Sequence, residues 1–262
     1  MSVKCIFLGG VEEVGANSTF YEFDGSGILL DSGLHPKKRD AGIFPDYEKI
    51  SDRNAELLIL SHAHTDHIGA MPFALKHFPH LKVFATRPTR DISSIMLKDT
   101  AKLLKSDLKD HLPEDMLSLY SPDILEKINL ILDGKKYYQD IIHKSERAFS
   151  DIKMKFYPSG HILGSSATYF EFDGKTLLHT SDINFRDQHL LPAADLPKHH
   201  LDALIVESTN CASDPSEPDA EKKRLADFIN KIVNENGSIL IPVFALGKSQ
   251  EMLRLLYGLM RK

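Results

Sequence analysis

Apolar positions in the first third of the chain fall in short runs closed by turn residues, which predicts β-strands joined by tight connections. Residues 3–8 are apolar and end at Gly9-Gly10, residues 18–23 alternate, and residues 27–30 run into the turn signal Asp31-Ser32-Gly33. After a polar loop at 35–40 and Phe44-Pro45-Asp46, an apolar strand at 56–60 stops at Ser61-His62. Residues 69–76 turn helical, and 83–85 form another short strand. From Ile92 to Leu132 the spacing is i, i+3, i+4, a helical stretch broken near Pro113 and Pro122. Strands return at 154–157, 166–172 and 176–179, with Asp173-Gly174 as a hairpin turn. Residues 204–206 read as a buried strand, 221–235 as an amphipathic helix, 238–242 as a strand and 250–260 as a helix. Hairpins, then helices, then more strands predict a layered α/β sandwich rather than a strictly alternating parallel fold. There is no internal repeat, and the loop at 212–218 is the best candidate boundary.

A length of 262 residues suits one large domain, or one domain and part of a second. With 26% charged and 42% hydrophobic residues the composition is that of a globular protein, not a disordered one. No apolar run approaches the roughly 20 residues of a membrane-spanning helix. The first residues read as a strand, not as a secretory leader. Cys5 and Cys211 stand far apart with no CxxC, so neither a disulfide framework nor a thiolate zinc site is expected. A cytoplasmic enzyme is the default expectation. The net charge of −5 supplies no global basic field, which argues against a nucleic-acid coat protein but not against an enzyme that grips a few phosphates.

Thirteen histidines against two cysteines direct attention to where the histidines lie. Ser61-His62-Ala63-His64-Thr65-Asp66-His67 leaves the strand at 56–60, placing three imidazoles and a carboxylate on one loop. Imidazole and carboxylate suit Zn²⁺, Mn²⁺ or Fe. Residues i and i+2 of extended backbone point the same way, so His62 and His64 can chelate one ion, with Asp66 and His67 able to face a second. His161 lies in a Gly-flanked turn between strands, and Asp182 ends a further strand after His179. A two-metal site needs ligands from several strand ends and a bridging carboxylate.

Asp31 within Leu29-Leu30-Asp31-Ser32-Gly33, the H-x-H-x-D-H run, His161 and Asp182 resemble, in order, the first four motifs of the metallo-β-lactamase superfamily. The resemblance covers essentially the whole chain. It implies an αββα sandwich with a dinuclear site at one edge. His62, His64 and His161 would then hold metal 1, Asp66 and His67 metal 2, with Asp182 bridging and Asp31 supporting the ligand loop. A narrower resemblance joins Leu8-Gly9-Gly10, Glu13-Val14-Gly15 and the run from Asp31 to Pro36 to the β-CASP branch. That branch includes the pre-mRNA cleavage endonuclease of the polyadenylation complex and bacterial ribonuclease J. Phe44-Pro45-Asp46, Glu207-Ser208-Thr209 and the segment from Ile241 to Glu251 strengthen it, with Glu207 matching the acidic residue of motif A.

The implied activity is hydrolysis of RNA phosphodiester bonds, endo- or 5′-exonucleolytic, with two divalent ions, zinc first and manganese second. A metal-activated hydroxide would attack phosphorus, Asp66 would orient it, and Glu207 would orient a histidine general acid. The implied division is residues 1–208 for the N-terminal part of the metallo-β-lactamase domain and 209–262 for the start of an inserted α/β β-CASP domain. The expected sandwich is therefore incomplete. RNA is the expected substrate, with a homodimer and other RNA-processing proteins as expected partners and no membrane. Asn210-Cys211 replace the family's usual Tyr-Gly, and Lys248 replaces an Arg, which keeps the charge but loses the planar fork. The family's two later histidine motifs have no match before Lys262, so the chain is expected to be the front of a longer protein.

Other features read as ordinary. Lys98, Lys102, Lys105 and Lys109 predict a solvated helix face, because Asp107 and Asp110 interleave. Lys37-Lys38-Arg39 predicts an exposed loop, His199-His200 a surface pair, Gly9-Gly10 a hairpin turn, and Phe20, Tyr21, Phe23 and Phe170 strand core. A glyoxalase-like thioester or lactone hydrolase would share the metal motif but lack Glu207 and the 244–251 segment. A non-catalytic partner subunit would have lost ligands that are intact here. A DNA-processing nuclease of the same branch stays open.

Overall fold

The computed structural model describes residues 3–145, 147–212 and 217–260. The predicted boundary loop at 212–218 therefore lies largely outside the described residues. Two sheets stack face to face. The first has six strands in sequence order: β1 (Val3–Gly9), β2 (Ser18–Phe23), β3 (Ser26–Leu30), β4 (Leu57–Leu60), β5 (Lys82–Thr86) and β6 (Leu132–Lys135). The hairpins β1–β2 and β2–β3 are antiparallel, whereas β3 to β6 run parallel. Parallel strands need crossovers, and these supply the helical layer. The β4–β5 crossover carries α1 (Thr65–Ile68) and α2 (Met71–His77). The β5–β6 crossover carries α3 (Arg87–Asp107), α4 (Glu114–Ser118) and α5 (Pro122–Ile131). The second sheet is antiparallel through β7 (Ile141–His143), β8 (Ile152–Pro158), β9 (Ser166–Phe172) and β10 (Lys175–His179). It closes with β11 (Ala203–Ile205), parallel to β10.

Because the first sheet is covered on both faces, its central strands alternate between two cores rather than between core and water. Leu29, Leu58 and Leu60 point to the helices, packing with Leu97, Leu104 and Ile128. Ile28, Leu30, Leu57 and Ile59 point to the second sheet, where they meet Phe156, Phe170 and Phe172. The alternation at β2 is buried on both sides for the same reason: Phe20 joins the helical core while Tyr21 and Phe23 join the inter-sheet core. All four aromatics expected in the strand core are there, each at most 1% exposed.

Among the described residues only the first sheet carries a helical layer; the outer face of the second is crossed by the irregular stretch 183–202. Its Asp195 accepts from Tyr138 and His199 packs edge-on against the Tyr169 ring. The helical spacing read through Leu132 ends at Ile131, where the chain turns extended into β6. The three-residue β7 was not expected. The strand expected at 204–206 is displaced by one residue, to Ala203–Ile205, and is not buried: its one neighbour is β10, leaving Leu204 55% exposed. The predicted strand at 238–242 pairs with no strand among the described residues, and Leu240 is exposed. Helices α6 (Pro218–Asn234) and α7 (Lys248–Met260) form as the pattern predicts, with no buried residue on either. No helix among the described residues is long and apolar enough to cross a membrane.

Candidate metal centre

The polar cluster sits at the carboxyl ends of β3 and β4, the end of a parallel sheet where chain reversals leave a crevice. Strand β3 ends into Asp31 and β4 into Ser61-His62, and the two are tied at once. Asp31 Oδ1 accepts from the Ser61 amide at 2.7 Å and Oδ2 from the Ser61 hydroxyl at 2.7 Å. Asp31 lies in left-handed backbone (φ 64°), as does Ser181 (φ 50°), whose hydroxyl donates to Ser61 Oγ at 2.7 Å. Such backbone is costly for a non-glycine residue and persists where surrounding contacts hold it.

The second half of the motif is carried by the single turn α1. Its carbonyls are bound from outside: Asn17 N donates to Asp66 O, Ser32 N to His67 O and Leu34 N to Thr65 O, all within 3.0 Å. Gly33 passes so close that a Cβ there would fall 1.5 Å from Asp66 O, so no other residue fits. Asp66 and His67 are thereby fixed relative to His62, although only the intervening turn links them covalently.

His62 Nε2 lies 3.1 Å from His64 Nδ1, which lies 3.2 Å from His161 Nε2. Asp182 Oδ2 is 3.8 Å from His62 Nε2 and 3.3 Å from His161 Nε2. One ligand atom from each of these four residues falls within 4.8 Å of the others, a set compatible with one divalent cation. Asp182 Oδ1 faces the other way, 3.3 Å from His67 Nε2, which is itself 3.7 Å from Asp66 Oδ2. The structure thus brings together all six residues expected as ligands. Their donor atoms form two groups that share the Asp182 carboxylate.

The outer partners decide which nitrogen each imidazole offers. His62 Nδ1 contacts Ser61 Oγ (3.0 Å), His67 Nδ1 donates to Asp31 Oδ2 (2.8 Å), and His64 Nε2 reaches the Leu246 carbonyl (3.2 Å). A carbonyl only accepts, so His64 carries its proton on Nε2 and presents the Nδ1 lone pair to the cluster. Burial, with neighbouring imidazoles, pushes His62 well below the ordinary histidine range. Burial also lowers His64, and takes His161 down to about 4. These three are neutral donors at pH 7, the form a cation requires. For His67, burial lowers the value, but the Asp31 and Asp182 carboxylates outweigh it and raise it well above ordinary. Burial would raise Asp182, yet the hydrogen bond from His67 and the surrounding imidazoles hold it at about 2.

Glu207 lies at the same mouth, lining a small cavity of about 130 Å³ with Asp182 and His67. Its Oε1 accepts from Ile183 N (3.3 Å) and Oε2 from Thr209 N (3.0 Å). Asn17, which the pattern of the chain did not single out, donates to Asp66 Oδ2 at 3.3 Å and lies 3.0 Å from His67 Nε2. Ser61, Ser181 and the Leu246 carbonyl were likewise unmarked. The remaining histidine pair, His199-His200, is exposed, and the α3 lysines face solvent, Lys102 pairing with Asp99.

A family model described as the metallo-beta-lactamase superfamily domain matches residues 20–209. The RNase J-like protein of Methanocaldococcus jannaschii is 33% identical over 257 residues, 97% of this chain and 54% of that protein. Cleavage and polyadenylation specificity factor subunit 3-I of Arabidopsis thaliana is 30% identical across 95% of this chain and 34% of its own length. Endoribonuclease YSH1 of Kluyveromyces lactis is 30% identical across 95% and 32% respectively. The chain therefore spans between about a third and a half of these relatives. A crystal structure of a protein of unknown function from Enterococcus faecalis V583 shares the fold, with a TM-score of 0.52 at 16% identity. The match covers 88% of this chain and 57% of that one.

Proposed function

The chain belongs to the metallo-β-lactamase superfamily, with homology to RNA-processing nucleases, and on that premise we propose that it hydrolyses RNA phosphodiester bonds with two divalent cations. The observation that carries the reading is the split of the Asp182 carboxylate, one oxygen toward His62 and His161 and the other toward His67. Two cations there would polarise a phosphoryl oxygen and bring a water's pKa toward neutrality. His62, His64 and His161 would hold the first, Asp66 and His67 the second, and Asp182 would contribute to both. Nitrogen-rich donors favour zinc at the first position, with manganese the alternative. Asp66, steadied by Asn17, orients the attacking water. Glu207, fixed by two backbone amides, orients the group that protonates the leaving oxygen. In this reading residues 1–208 are the N-terminal part of the metallo-β-lactamase domain and 209–262 the start of a β-CASP domain.

The test is metal content by mass spectrometry after equilibration with Zn²⁺ or Mn²⁺, beside cleavage of 5′-labelled RNA. Two ions per chain and cleavage abolished by chelator and by Asp182→Ala are expected. Hydrolysis of a thioester with no RNA cleavage would overturn the substrate assignment. Failure to retain any ion would overturn the centre itself.

A further inference from the structure

The segment Ala245 to Glu251 touches the cluster from far along the chain, and of its contacts only the Leu246 carbonyl has entered the reading above. It is knit into a tight turn: Gly247 N donates to Gln250 Oε1 (2.7 Å), Gln250 Nε2 to Ala245 O (3.0 Å), and Ser249 N to Phe244 O (3.0 Å). Three contacts bind that turn to the metal-facing loops. The Leu246 carbonyl accepts from His64 Nε2, across 182 residues. Gly247, with φ +86°, is pressed against Ile162, where a Cβ would fall 2.5 Å from Ile162 Cγ2. Glu251, in the first turn of α7, accepts from the amides of both His189 and Leu190. The residue before that pair, Gln188, in turn donates to Gly160 O (2.7 Å) and His161 O (3.0 Å).

We propose that residues 245–251 are a positioning strap for the metal centre. The strap fixes His64 as the Nε2–H tautomer through Leu246. It fixes the His161 loop from two sides, through Gly247 on Ile162 and through Glu251 on the loop that carries Gln188. His64 follows the first sheet and His161 belongs to the second, so one segment sets the relative placement of two ligands from different layers. Outer partners of this kind govern ligand orientation and tautomer, and removing one typically weakens a metal site 10–100-fold. Anything that shifts α7, including a strand held against it, would then change how tightly the first ion is held. The inference rests on the reading of the cluster as a metal centre.

The experiment uses the whole chain labelled with ¹⁵N-histidine, comparing wild type with Glu251→Ala and Gln188→Leu. Zn²⁺ affinity is taken by competition with a chromophoric chelator, and both the His64 tautomer, from ¹⁵N shifts, and the melting temperature are taken from the metal-free protein. Expected are a tenfold or greater loss of affinity at the tighter site in each variant, a His64 signal no longer confined to the Nε2–H form in Glu251→Ala, and little change in metal-free melting. Wild-type affinity and a single unaltered His64 tautomer in both variants would overturn the strap. Absence of Zn²⁺ binding in the wild type would instead remove the centre on which it rests. A lowered metal-free melting temperature that accounts for the whole affinity loss, with the tautomer unchanged, would also overturn it.

Discussion

Opposite ends of β3 and β4 each carry a carboxylate–histidine pair, buried at one end and partly buried at the other, and the two pairs behave differently. At the carboxyl end Asp31 holds His67 at 2.8 Å; at the amino end Glu56 holds His143 at 3.0 Å. Glu56 also accepts from Ser26 (3.2 Å) and Ser145 (3.1 Å), so its oxygens are satisfied by groups from both sheets. That pair is a brace. Asp31 is equally satisfied, but the far nitrogen of His67 is turned toward Asp182 and Asp66 rather than into packed protein. The strained backbone is also unequal: Asp31 and Ser181 have positive φ, whereas Glu56, Ser26 and His143 do not. Identical chemistry becomes a candidate site at one end only, because there the imidazole has somewhere to point.

The sharpest way to break this comparison is to delete the shared carboxylate. Asp182→Ala is expected to lower RNA cleavage by about 10³-fold or more, whereas Glu56→Gln leaves turnover within about twofold. Equal losses, measured as initial rates on the same labelled RNA, would erase the distinction. A smaller effect is expected from Asp31→Asn, which keeps shape but weakens the hold on His67: metal affinity at the second position falls about 10–100-fold. Chelator competition reads this directly, and unchanged affinity would reduce Asp31 to a brace like Glu56. Conversely His143→Gln is expected to cost about 1–2 kcal/mol of folding stability in urea unfolding, with no change in metal affinity.

The mildest effect is a pH dependence. His179, bonded to Tyr21 Oη at 2.7 Å between the sheets, is held at about 4 by burial, with smaller effects from Asp31 and His67. Its value in the unfolded chain is near 6.5, so between those values the unfolded state binds more protons. Stability contributed by neutral His179 is full above about pH 6.5 and is lost as pH falls through 4. His179→Gln should flatten the fall in urea midpoint between pH 6.5 and 4; an unchanged slope would assign the acid sensitivity elsewhere.

All six ligand candidates could be read from residue type and position, because each follows a strand and each is a strong donor. The partners that aim them could not. Serine and asparagine are common in turns, so Ser61, Ser181 and Asn17 carry little signal of their own. The Leu246 carbonyl carries none, since every residue has one and only the fold brings it to His64. The same limit applies to the sheets. Wholly apolar, buried strands such as β4 were legible, while β6 (Leu-Asp-Gly-Lys), of the same length, and β7 are edge strands defined by pairing. Residues 238–242 show the reverse case, a strand-like composition with no strand beside it among the described residues.

The ligands also have a topological meaning. His64 and His161 are 97 residues apart and leave different sheets, and Asp182 lies further still along the second. A cation gripping all of them is a cross-link, closing a loop of roughly the size for which a disulfide is worth on the order of 4–5 kcal/mol. Both cysteines of the chain are free, so among the described residues it is this knot of imidazoles that could rivet the two halves of the sandwich. Depriving the protein of metal would then loosen the seam between the sheets along with silencing the chemistry at its edge.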